Sequence, residues 1–173
     1  VQGPMHKLED QAAAIEQCLS TITRFTGKRP IGWESPGLTE TEETLDLLSA
    51  AGIEYVADWV LDEQPTWIAA RPKPVLSVPY TVELNDIPMI VARQMDAKDF
   101  AQMIIDQFDE MLMQSQHQPL VMGLALHPYI IGQPYRLRHL RRALSHIAQA
   151  RDHDQVWVTT PGEIEAHMRR IQP

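Results

Sequence analysis

Short apolar runs, each broken by a polar or proline-marked position and followed by a helix-period segment, recur along this chain. That rhythm constrains the fold more than any other feature, because strands separated by helices pair in parallel and need helices on the sheet faces. Leu8, Ala12, Ile15, Leu19, Ile22 and Phe25 recur at spacings of three and four, which predicts a helix over 7–26 ended by Gly27. Arg29 to Trp33 reads as a short strand before the turn Glu34-Ser35-Pro36-Gly37. Thr39-x-x-Glu42 has capping-box spacing and predicts a helix through Leu45 and Leu48, ending at Gly52. Ile53 to Ala57 and Pro74 to Val78 are the next strands, with a polar, proline-bearing loop from Asp62 to Lys73 between them. A helix follows over 97–113, with Phe100, Ile104, Phe108 and Leu112 on one stripe. Val121 to Leu126 is expected as a strand buried on both faces, stopped at His127-Pro128, where proline cannot donate to a ladder. The helix beginning near Arg136 carries Leu137, Leu140, Leu144 and Ile147. Val156 to Val158 is the last expected strand, and Thr160-Pro161-x-Glu163 opens the last helix.

A chain of 173 residues can bury one proper core, so residues 1–173 are expected to form a single domain. The one cysteine, Cys18, leaves no internal disulfide to form and reads as a packing residue. A net charge of −8 argues against a nucleic-acid surface, and the arginine cluster at 136–142 reads as a solvated helix face. No run is long and apolar enough to cross a bilayer, and VQGPMHKLED has no signal-peptide pattern, so the cytoplasm is the expected compartment. There is no G-x-G-x-x-G, no phosphate loop and no G-x-S-x-G elbow. There is also no His-x3-His pair: His139 and His146, seven apart on one helix, read as surface residues, and His6, His117, His153 and His167 sit in polar surroundings.

The residues just after each expected strand matter most, because those positions converge at one end of a parallel sheet. They are Glu34 with Trp33, Asp58 with Trp59, then Glu83, Asn85 and Asp86, then His127, and finally Thr159 or Thr160. Each alone has an ordinary explanation: Asp58 and Asp86 as turn caps, the two indoles as core, His127 as a surface histidine. Their coincidence at strand ends points instead to acid/base hydrolysis, in which a carboxylate activates water and an imidazole protonates the leaving atom.

The blocks GKRPIGWESPGLTETEETLDLL, YVADWVLDEQP, VPYTVELNDIPM, ALHPYIIGQPYR and VWVTTPGEI, in that order, resemble the polysaccharide deacetylase superfamily. The similarity is to its cytoplasmic branch of allantoinase-like and peptidoglycan deacetylase-like enzymes. It implies part of a distorted (β/α) barrel of about seven strands, the N-terminal strands lying upstream of this chain. It also implies hydrolysis of an amide or cyclic-imide carbon–nitrogen bond, in a small nitrogen compound or an N-acetylated sugar.

By this resemblance His127 is the late family histidine, acting as general acid or stabilising the tetrahedral intermediate. Leu126 belongs to the apolar wall beside it, Asp58 falls at an Asp-Trp block, and Asn85-Asp86 match a substrate-contacting Asn-Asp pair. Glu34 stands where many sugar deacetylases carry an arginine, which argues against an ordinary chitin or peptidoglycan substrate. His127, Asp58 and Glu34 are thus the expected catalytic residues; Trp33, Trp59, Glu83, Asn85, Asp86, Leu126 and Arg136 are the expected substrate contacts. Arg136 could pair with a strand-end carboxylate or an anionic substrate. The family's catalytic base and metal-binding histidines would precede residue 1, with Gln2 at the second ligand position. Glutamine is a poor zinc ligand, so a full-length protein could carry zinc or work without it, and no metal ligand is expected in this chain. The chain alone is then expected to be inactive and, with open barrel edges, to associate, as a homo-oligomer by family analogy. The competing expectation is a non-catalytic binding or assembly module that keeps the scaffold and lacks the base.

Overall fold

The structure is a computed structural model and describes residues 3–153 and 155–172. The chain forms two compact units, one from the residues up to Val78 together with those from Thr159, the other from Pro79 to Val158.

In the first unit a 3-10 turn, Met5–Lys7, precedes helix α1, Gln11–Thr26. Asp10 caps α1 by accepting from Ala13 N at 2.8 Å, and Gly27 ends it at φ 74°, a conformation that favours glycine. Ile15 and Leu19 are buried, but Phe25 at the end of the expected stripe is 79% exposed. Strand β1 is Gly32–Trp33, helix α2 Thr44–Ala50, β2 Tyr55–Val56, β3 Thr66–Ile68 and β4 Val75–Ser77. The sheet order is β1-β2-β4-β3. Strands β1, β2 and β4 pair in parallel, as expected, while β3 runs antiparallel to β4 in what the sequence presents as a loop. The fold class is therefore mixed α/β. Val75, Leu76 and Ser77 are all buried, consistent with a central strand covered on both faces.

Helix α2 starts later than the Thr39-x-x-Glu42 spacing predicts. Thr39 Oγ1 instead accepts from Met5 N at 2.8 Å and donates to Pro36 O, so it is unavailable as a cap. Thr44 Oγ1 receives Thr41 N at 2.8 Å and ties α2 to Gln11 of α1. The last helix, α5 (Pro161–Ile171), carries the expected capping box between Thr160 and Glu163. Its buried Glu165 is paired with Arg169, and the Tyr55 ring lies so close to Gly32 that a Cβ there would come within 2.1 Å of it.

In the second unit, α3 (Ala97–Gln114) and α4 (Pro134–Asp152) pack against each other. Phe100, Ile104, Leu140 and Ala143 form the core with Met89, Ile90, Ile130 and Ile131. A π-helical turn, Ile87–Ala92, precedes α3. The run from Val121 to Leu126 is half-buried rather than buried on both faces, and its one pairing among the described residues is a parallel bridge between Ala125 and Asn85. Val156 to Val158 forms no strand; Trp157 and Val158 are 58% and 62% exposed. Apolar content alone does not make a strand, because the ladder needs a partner edge to satisfy its backbone groups. No described helix is long and apolar enough to cross a membrane.

Candidate functional site

Two buried carboxylates organise the strand-end residues, one in each compact unit. In the first unit the parallel register Trp33↔Val56 brings the turn after β1 beside the end of β2. Asp58 is 2% exposed there. One of its oxygens accepts from Ser35 N at 2.6 Å and the other from Ser35 Oγ at 2.8 Å. The same hydroxyl oxygen accepts from Trp33 Nε1 at 3.1 Å. Burial pushes the Asp58 carboxyl up to about 6. The two Ser35 bonds pull it back, and the negative charges of Glu40 and Glu34 raise it further. Glu34 itself is exposed, Trp59 packs against the core of this unit, and Glu40 Oε2 is buried without a hydrogen-bond partner.

In the second unit Asp86 is completely buried and holds His127 at two points. One carboxylate oxygen accepts from His127 N at 2.9 Å, and the other lies 2.6 Å from Nδ1. The backbone brings them together: Ala125 N donates to Leu84 O at 2.9 Å and Asp86 N donates to Ala125 O at 3.2 Å. An ionised carboxylate only accepts, which would put the shared hydrogen on Nδ1 and leave Nε2 free. Tyr129 stands edge-on to the imidazole, with ring centroids 5.7 Å apart.

The other expected residues fall in different settings. Glu83 is exposed, and Leu126 is half-buried against the core of the second unit. Asn85 is 8% exposed, and its side chain bonds Ile87 N and the Tyr80 hydroxyl. Arg136 pairs with no carboxylate among the described residues. It donates to Ile130 O at 3.1 Å and lies 5.1 Å over the Tyr135 ring. Sequence reasoning missed Ser35, Tyr80 and Tyr129. Ser35 and Tyr129 could have been flagged by adjacency to Glu34 and to His127-Pro128; Tyr80 carries no such signal. Gln2 lies outside the described residues. Among those described, no cluster of three or more His, Cys, Asp or Glu side chains is arranged to hold a metal ion.

A parallel-paired α/β core carries its functional residues at the strand ends, where Asp58, Asp86 and His127 stand. Curated and structural neighbours point to the polysaccharide deacetylase family, although no family model matches the sequence. A Schizosaccharomyces pombe protein carrying the name polysaccharide deacetylase is 32% identical over 121 residues, 64% of this chain and 37% of that protein. Puue allantoinase superposes with a TM-score of 0.87 at 28% identity, over 99% of this chain and 57% of its own. A Pseudomonas aeruginosa PAO1 structure named for polysaccharide deacetylase gives 0.82 at 29% identity, over 94% of this chain and 54% of its own. A Mycobacterium smegmatis structure of similar name gives 0.83 at 18% identity, which speaks to the fold alone. The chain thus spans little more than a third of the curated relative and little more than half of these structures.

Proposed function

We propose that this chain supplies the histidine side of an amide- or imide-hydrolysing site in a protein of the polysaccharide deacetylase family. On this reading it is part of a distorted (β/α) barrel. The observation that carries the proposal is the grip of the buried Asp86 on both the backbone N–H and Nδ1 of His127. A carboxylate removed from water is costly unless it is paired, and here its partner can become a cation. Asp86 fixes the tautomer and orientation of the ring, and Nε2 faces the reacting nitrogen. Hydrolysis requires water to add to the carbonyl carbon and the carbon–nitrogen bond to break with a proton delivered to nitrogen. His127, protonated at Nε2, supplies that proton and is left neutral. Leu126 furnishes the apolar wall, Tyr129 an aromatic edge, and Arg136 and Glu83 polar contacts. The names of the relatives, allantoinase and polysaccharide deacetylase, support a small cyclic ureide or an N-acetylated sugar as substrate. In the first unit Asp58 is the group able to exchange a proton near neutrality, with Trp33, Trp59 and Glu34 around it.

The test is turnover by the full-length protein against both substrate classes, with and without His127→Ala. The reading expects a loss of about a hundredfold or more, the usual range for a positioned acid, with a cooperative thermal transition retained. Turnover unchanged by His127→Ala would leave the scaffold without catalytic use of this residue and would overturn the proposal.

A further inference from the structure

We propose that Asn85 is a positioning residue, which closes the turn at Asp86 and so holds the Asp86 carboxylate toward His127. The inference rests on the hydrolase reading only for its effect on turnover. Its structural basis is local. Asp86 directly precedes the π-helical turn Ile87–Ala92 with helical backbone angles, φ −70° and ψ −22°, rather than the extended ones from which a side chain reaches the first free N–H groups. Here it caps none of them. The donors have been dealt with by other means. Ile87 N donates to Asn85 Oδ1 at 3.0 Å, and Met89 N donates to the Asn85 carbonyl at 3.2 Å. The residue between them is Pro88, which has no N–H to satisfy. Both Asp86 oxygens are therefore available, and both are used on His127.

The rest of Asn85 is committed to the same task. Its Nδ2 donates to the Tyr80 hydroxyl at 3.3 Å, which fixes the amide so that Oδ1 faces Ile87 N. Its backbone lies opposite Ala125 in the parallel bridge, two residues before His127. At 8% exposure the side chain has little surface for a substrate. Asn-Asp-x-Pro is in this sense a division of labour: the asparagine and the proline dispose of the donors, and the aspartate serves the histidine.

The test uses the full-length protein carrying Asn85→Ala and, separately, Asn85→Ser. The serine hydroxyl can still accept from Ile87 N, more weakly than an asparagine oxygen. Nitrogen-15 NMR of the His127 imidazole reads which ring nitrogen carries the hydrogen, a property that general loss of stability would not alter. Asn85→Ala should lose the fixed Nδ1–H form and its downfield hydrogen-bonded proton, because Ile87 N loses its acceptor and the turn that carries Asp86 shifts. kcat should fall by about tenfold to a hundredfold with little change in KM, as expected for a displaced catalytic group. Asn85→Ser should recover part of both. Should Asn85→Ala fail to fold, a partial loss of the Nδ1–H signal in Asn85→Ser supports the role, and an unchanged signal overturns it. An unchanged imidazole signal together with a rise in KM would make Asn85 a substrate contact and would also overturn it. If His127→Ala leaves turnover intact while Asn85→Ala still disturbs the imidazole, the hydrolase reading fails and the positioning role stands.

Discussion

Asp58 and Asp86 are the same chemical group in nearly the same degree of burial, and each accepts one backbone and one side-chain hydrogen bond. They differ in the partner. Asp58 is held by the hydroxyl of Ser35, which stays neutral, and it has Glu34 and Glu40 for electrostatic company. Asp86 is held by an imidazole, which can take up a proton and balance its charge. A neutral partner leaves a buried carboxylate to meet its desolvation cost by keeping its proton, hence the rise to about 6 at Asp58. A protonatable partner makes the pair, rather than either residue, the functional unit. The first arrangement is a proton-holding turn; the second is a device for orienting an acid.

The largest effect should come from breaking the second arrangement. Asp86→Asn sets an amide N–H against one of the two donors of His127, its backbone N–H or Nδ1. Turnover of the full-length protein should fall on the order of a hundredfold to ten-thousandfold, the range seen when a histidine loses its orienting carboxylate. Steady-state kinetics beside a thermal melt separates this from unfolding. A smaller effect is expected at Asp58, and it depends on pH. The folded carboxyl keeps its proton up to about pH 6, whereas an ordinary aspartate releases it near 3.8. Below the lower value Asp58 is protonated in both states and no penalty exists. Between the two the folded state binds more protons, so stability falls as pH rises, and above the upper value the penalty is constant. It should reach roughly 3 kcal/mol. Asp58→Asn should therefore be more stable than wild type above pH 6 and lose that advantage by pH 4, as urea melts across this range would record. Smaller still is Ser35→Ala, which removes a donor to Asp58 and the acceptor of Trp33 Nε1. It should cost about 1–3 kcal/mol and move the pH-sensitive window upward, read from the same melts.

Much of the scaffold was legible because helix periodicity is local. The stripe of α3 and the capping box of α5 depend on residues three or four apart, and both formed. The strand-end positions of Asp58, Asp86 and His127 were legible for a related reason, since proline and polar residues punctuate the apolar runs. What failed depends on partners distant in sequence. Thr39 has the spacing of a cap but spends its hydroxyl on Pro36 and receives Met5 N from 34 residues away. Thr66–Ile68 looks like loop because three residues beside Gln64 and Pro65 carry no period, yet β4 gives them an edge to pair with. Val121 to Leu126 has strand composition yet pairs, among the described residues, only at the bridge of Ala125 to Asn85, and Val156 to Val158 has it and forms no strand. The link between Asp86 and His127 spans 41 residues and leaves no trace in spacing. The strand-end pattern and the resemblance both put the two residues in one site, but neither foretells the contact between them.

The most direct measurement is a double-mutant cycle on turnover in the full-length protein, with Asp86→Asn, His127→Ala and the two combined. If Asp86 acts through His127, the double variant should be no slower than His127→Ala alone, because the aspartate has nothing left to orient. Losses that multiply would mean that the two residues act independently, which would contradict the pair as the unit of function.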